Sequence, residues 1–223
     1  MSKVILSKKT LDVLKNFSSI NSSIVFRQGS TVRTISNAEN ILAKFTSDEV
    51  FPVDFAIYDL SQFLSGISLF SDPQLEFANE SFVNIRGGRQ SARYYFSDPE
   101  ITLKSAPEKN VKFPGADLQF NLSGEDLTAL QKASAVYSLP DLTFQSTEGS
   151  NEIKLVLRDK ENDTSNTYEQ SISGCCTGDY SLDVKIENIR LLPGDYTVKV
   201  SKHLISEWTN TNVDLTYYIA LEP

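Results

Sequence analysis

Histidine is nearly missing from this chain: His203 is the only one among 223 residues, beside a single tryptophan, Trp208, and a single methionine. Cysteine is limited to the adjacent pair Cys175 and Cys176 in SGCCTGDY. A zinc centre needs several Cys or His ligands at characteristic spacings, and two neighbouring thiols do not supply them. They read instead as part of a small-residue loop. His203 closes the strand-like run YTVKVSKHL with no Ser or Cys nucleophile motif beside it, and reads as a surface or hairpin residue. No glycine-rich phosphate loop is present, and RGGR at 86–89 reads as a hairpin turn. The carboxylates form no recognisable pair for acid–base work. These gaps nominate no reaction, no cofactor and no metal.

Long hydrophobic runs are also missing. None approaches the roughly 20 residues that span a bilayer, and MSKVILSKKT lacks the apolar core of a signal peptide. With so few cysteines, the expectation is a cytosolic protein with no membrane partner. Apolar residues nevertheless make up 40% of the chain, with 13 Phe and 9 Tyr, enough to fill a packed core. The net charge of −8 is uneven. Residues 1–110 carry 12 basic and 12 acidic side chains, whereas residues 111–223 carry 9 and 17. An acidic chain of this kind is repelled by phosphates unless positive charge is gathered locally.

Most of the sequence alternates as short strands bounded by Gly, Asn, Asp, Ser or Pro. Ile41–Phe45, Val53–Tyr58, Asn166–Ser171, Tyr196–Lys202 and Leu215–Leu221 are examples. Four segments have helical spacing instead. In residues 8–20, capped by Ser7, Leu11, Val13, Leu14, Phe17 and Ile20 fall on one half and Lys8, Lys9, Asp12 and Lys15 on the other. Asp59 caps DLSQFLSGISL, where Leu60, Phe63, Leu64 and Ile67 oppose Ser61, Ser65 and Ser68. In residues 123–137, Ser123 and Asp126 resemble a capping box. The fourth, IENIRLL at 186–192, is stopped by Pro193 and Gly194.

The two halves repeat this order. LSKKTLDVLKNF and LSGEDLTALQKA open them, and VDFAIYDLSQFL and SLDVKIENIRLL follow midway. SAPEKNVKFPGADLQF reads as the linker between them. The expected organisation is a domain at 1–105, a linker at 106–117 and a second domain at 118–223. Each would be a duplicated unit of strands and two helices.

Five stretches then resemble the sliding clamps of T-even-type bacteriophages. They are VLKNFSSINSSI (13–24), FAIYDLSQFLSGISL (55–69), VKFPGADL (111–118), PGDYTVKV (193–200) and YYIALEP (217–223). The resemblance implies an α+β DNA-clamp fold of two similar domains, in a ring-shaped homotrimer. Sheets would lie outside, and two helices per domain would line a central channel. Such a ring encircles double-stranded DNA without reading sequence, tethers the replicative DNA polymerase, and is opened and closed by an ATP-driven clamp loader. A role in late viral transcription is implied too, as is a location in the cytoplasm of the infected host. The resemblance implies no enzyme activity.

On that reading Lys8, Lys9 and Lys15, with Lys132 and Arg190 in the second domain, face the DNA. Each is otherwise an ordinary solvated helix residue. Arg86, Arg89 and Arg93 read as a plain surface hairpin. The implied docking pocket for a partner peptide is Val111, Phe113 and Pro114 with Ile219, Leu221 and Pro223. Ordinary packing of the linker on the sheet is the alternative for these six. For the whole chain the alternative is a β-rich structural virion protein, which accounts for the strands but not for lysine-faced helices at equivalent places.

Overall fold

The computed structural model of the chain describes residues 2–98, 104–162 and 164–223. These fall into two compact units, Met1–Lys109 and Asn110–Pro223.

The first unit opens with β1 (Ser2–Val4) and α1 (Lys8–Ile20), followed by β2 (Ile24–Phe26), β3 (Gly29–Ile35), β4 (Ile41–Phe51) and β5 (Phe55–Ile57). Then come α2 (Leu60–Ser68), β6 (Gln74–Phe77), β7 (Phe82–Gly87) and β8 (Gln90–Tyr95). Strands β1-β6-β7-β8 form an antiparallel sheet, and β3 pairs with β4 and β2 with β5. The helices bury the stripes that their periodicity marks. Val13, Leu14 and Phe17 of α1 are fully covered, as are Leu60 and Phe63 of α2. A phenylalanine cluster fills the space beside β2 and β5. The Phe26 and Phe55 rings stack at 4.4 Å, and Phe55 also meets Phe77 and Phe96 at 5.2 and 5.0 Å. Beneath this sheet Glu76 is only 4% exposed, and it is held by Lys3 from β1 at 3.0 Å and by Arg86 from β7 at 2.7 Å.

The second unit contains β9 (Leu118–Leu122), α3 (Gly124–Tyr137), β10 (Asp141–Ser146), β11 (Glu152–Arg158) and β12 (Tyr168–Cys176). It continues through β13 (Tyr180–Lys185), β14 (Tyr196–Ser201), β15 (Ile205–Asn210) and β16 (Leu215–Ala220). These strands run antiparallel in the order β13-β10-β11-β12-β9-β14-β15-β16. Trp208, Tyr196, Tyr217 and Phe144 are fully buried in its core. The Trp208 indole N–H donates to Ser206 Oγ at 2.9 Å, so the ring's one polar group is satisfied in the interior.

Three expectations change. The segment 186–192 is not a helix: only Ile186–Asn188 turns, as a single 3₁₀ element. Ile189 and Leu191, two apart, are both buried, which is an extended pattern, and Pro193 denies the segment the length that would offset helix nucleation. Cys175 and Cys176 lie on β12, paired with Gln119 and Leu118, rather than in a loop. Strand β4 runs on to Phe51, through a polar stretch that places Asp48 and Glu49 beside the start of α1. As expected, His203 is exposed between β14 and β15, and Gly88–Arg89 turn between β7 and β8.

Candidate nucleic-acid interface

Helix α1 begins against its own electrostatics. Its first turn holds Lys8 and Lys9 and no acidic residue, at the end where the macrodipole is positive. Local capping is conventional: Ser7 Oγ accepts the Thr10 N–H at 3.2 Å. The missing negative charge comes from β4. Glu49 accepts the Ser7 N–H at 2.5 Å on one carboxylate oxygen and the Thr10 hydroxyl at 2.6 Å on the other, and the Ser47 hydroxyl also donates to it at 2.9 Å. Partial burial raises the Glu49 pKa, but these donors outweigh it and bring the group down to about 2. Asp48, next to it, forms an ion pair with Lys9.

The outward stripe of α1 is therefore narrower than the lysine count suggests. Lys8, Asp12, Lys15 and Ser19 are all exposed and fall within one sector at helical spacing. Lys8 pairs with Asp12 at 2.9 Å. Lys9 lies about 100° round the helix from Lys8 and leans toward β4. Lys15 lines a groove between α1 and α2 together with Ser18, Ser61, Leu64, Ser65 and Ser68. The adjoining part of that groove is apolar, with Leu11, Ile67 and Phe70. Helix α2 is capped by Asp59, which accepts the Gln62 N–H at 2.8 Å, and its exposed residues carry no charge.

In the second unit Ser123 Oγ accepts the Asp126 N–H at 3.1 Å and its hydroxyl donates to the Asp126 carboxylate at 2.6 Å. The capping box is thus closed hydroxyl-to-carboxylate. Leu127, Leu130, Ala133 and Ser134 face the core, which leaves Lys132 exposed with Glu125 and Thr128 on the opposite side. Tyr137, the last residue of the helix, is 48% exposed. Arg190 is exposed just after the 3₁₀ turn, and its Nε donates to the Glu187 carbonyl at 2.9 Å.

Two of the three hairpin arginines have structural work. Arg86 holds Glu76, and the Arg93 guanidinium lies 4.1 Å from the centre of the Phe82 ring. Of the six docking candidates, Ile219 and Leu221 are buried in the second unit's own core. Val111 and Phe113 are half-buried, and Pro114 and Pro223 are exposed. The residues that sequence reasoning missed are Asp48, Glu49 and Asp117. Asp117 accepts the Lys202 N–H at 2.8 Å and the Tyr180 hydroxyl at 3.0 Å, tying the chain ahead of β9 to two hairpins. Burial raises its pKa and these donors lower it further, for a net shift downward. Their partners lie tens of residues away, so spacing alone gave no signal. Among the described residues no group of three or more His, Cys, Asp or Glu is placed to hold a metal, and no helix is long and apolar enough to cross a membrane.

Comparison with known proteins agrees along the chain. A family model described as DNA polymerase processivity factor matches residues 6–96. The sliding clamp of Vibrio phage KVP40 is 34% identical over 222 residues, covering 97% of this chain and 98% of that protein. The sliding clamp of Escherichia phage RB69 is 26% identical over 226 residues, covering 97% and 96%. Among solved structures, A. fulgidus PCNA bound to the C-terminal region of FEN-1 is similar with a TM-score of 0.74. At 13% identity, over 100% of this chain and 99% of that one, it shows a common fold. Near-complete coverage by a relative at this identity, together with the α+β architecture, establishes that the chain belongs to the sliding-clamp family of DNA polymerase processivity factors.

Proposed function

We propose that three copies of the chain close into a ring around duplex DNA and hold the replicative polymerase to its template in the cytoplasm of the infected bacterium. Family members are not enzymes. The work is topological: a closed ring needs no strong contact, and free sliding requires that base edges go unread. One observation carries the reading to these residues. On a chain of net charge −8, α1 displays Lys8 and Lys15 beside a charge-free α2, and α3 displays Lys132. The DNA-facing set is therefore Lys8, Lys15 and Lys132, with Lys9 contributing less because it leans toward Asp48 on β4, and Arg190 because it follows a single 3₁₀ turn and bonds back to Glu187. Such lysines centre the duplex through weak, salt-sensitive contacts.

An ATP-driven loader opens the ring, since DNA without ends cannot enter it otherwise. The same clamp serves late viral transcription. A terminal peptide of the polymerase docks near Val111, Phe113, Pro114 and Pro223, with Ile219 and Leu221 forming the floor beneath them.

Solution mass and DNA topology test this directly. Sedimentation is expected to give a trimer, and loaded protein is expected to stay on nicked circles and leave them after linearisation. The triple charge reversal of Lys8, Lys15 and Lys132 to Glu should abolish loading without changing the far-ultraviolet spectrum. Equal retention on circles and on open linear DNA would refute encirclement.

A further inference from the structure

The three lysines of α1 have unequal surroundings. Lys9 is held by Asp48, on β4. Lys8 is held by Asp12 at 2.9 Å, and both side chains stand largely in solvent, at 91% and 50% exposure. Lys15 meets no carboxylate among the described residues and stands beside the neutral serines of α2. Asp12 lies four residues after Lys8 and three before Lys15, so both neighbours share its face and either can pair with it.

We propose that Asp12 is a positioning residue that sets how many α1 cations a DNA backbone can use, by occupying Lys8 and leaving Lys15 as the one cation of this helix that meets no carboxylate among the described residues. The proposal rests on the encirclement reading and adds to it a brake. A sliding ring gains from attraction that is sufficient to centre the duplex and loses from attraction that stalls it. Each lysine that neutralises a phosphate releases counterions, so the count of available lysines sets both the salt dependence of retention and the friction along the duplex. An exposed pair one turn apart is a suitable brake, because solvent screening keeps it weak: it competes with a phosphate for Lys8 without locking the side chain. Lys8 then acts chiefly through Asp12. Removing Lys8 frees Asp12 to turn toward Lys15, which silences a second cation.

The test uses full-length chain threaded onto linear duplex whose ends are then blocked. Retention and one-dimensional diffusion are followed against salt for wild type, D12N, K8A, K15A and D12N/K8A. D12N is expected to steepen the salt dependence: a fourfold rise in salt should cost about 3.5-fold more retention for each lysine released, from a slope of about 0.9 per phosphate contact. Its diffusion should slow. K8A should weaken retention as much as K15A in the wild-type background, but in the D12N background it should only cancel the D12N gain. Blocked-end retention with D12N indistinguishable from wild type overturns the role of Asp12 and leaves encirclement standing. Release of wild-type protein from blocked and open ends at the same rate overturns both. Circular dichroism of each variant confirms folding, which the surface position of Asp12 favours.

Discussion

Replacing Glu49 with Gln tests whether α1 depends on a carboxylate that it does not itself contain. Glu49 receives the Ser7 N–H, the Thr10 hydroxyl and the Ser47 hydroxyl, and these donors bring its pKa from the ordinary 4.5 to about 2. At 1.36 kcal/mol per pH unit that difference sets a ceiling of about 3 kcal/mol. Solvent reaches the half-buried group and screens it, so the expected contribution at neutral pH is about 1–2 kcal/mol. A carboxylate whose folded pKa is depressed adds stability that is complete above its unfolded value. That stability is lost as pH falls from about 4.5 toward about 2. E49Q should therefore be less stable than wild type at pH 7, and the gap should close as pH approaches 2. Trp208 lies in the second unit, outside the one that holds Glu49. Hydrogen exchange of the α1 amides, read by mass spectrometry at pH 7 and at pH 3, reports the change instead. Equal α1 protection in the two proteins at pH 7, or a gap of constant size at both pH values, would refute the account.

Two further substitutions probe the second unit. A Cβ on Gly174 would lie 2.5 Å from Ile153 Cδ1 and 2.8 Å from the Gln119 carbonyl, so G174A should destabilise by about 1–3 kcal/mol in urea unfolding followed by Trp208 fluorescence. Tyr217 OH accepts the Leu192 N–H at 3.1 Å, and Y217F should cost about 1 kcal/mol in the same measurement by leaving that donor without a partner.

What was legible in the sequence is what depends on short spacing. Ser7, Asp59 and Ser123 cap helices through bonds spanning three residues, and that spacing is plain in the sequence. The apolar stripes of α1 and α2 follow from periodicity. Strand β15 escaped because its inward face is Ser206, Trp208 and Asn210: two polar residues sit where alternation leads one to look for apolar ones. The hydroxyl of Ser206 is buried there because the indole N–H and the Ile219 carbonyl satisfy it. β1 has three residues, too few for any period to show. The lysines of α1 are visible in the sequence, but their inequality is not. Lys9 is distinguished by Asp48, which only the course of β4 brings beside it. Ile219 and Leu221 enter the docking set through the resemblance alone, and the pleat turns both into the core, where they can serve only as its floor.

The support that α1 takes from β4 has a consequence for how such chains diverge. Cations needed at the positive pole of a helix are tolerated only while a neighbouring strand presents Asp48 and Glu49 to that pole. Drift in those two positions would look like harmless variation in the polar stretch of β4. Lineages that lose them should instead shed the leading lysines in step, or recruit an acid within the first turn, so that the two distant segments evolve as a linked pair.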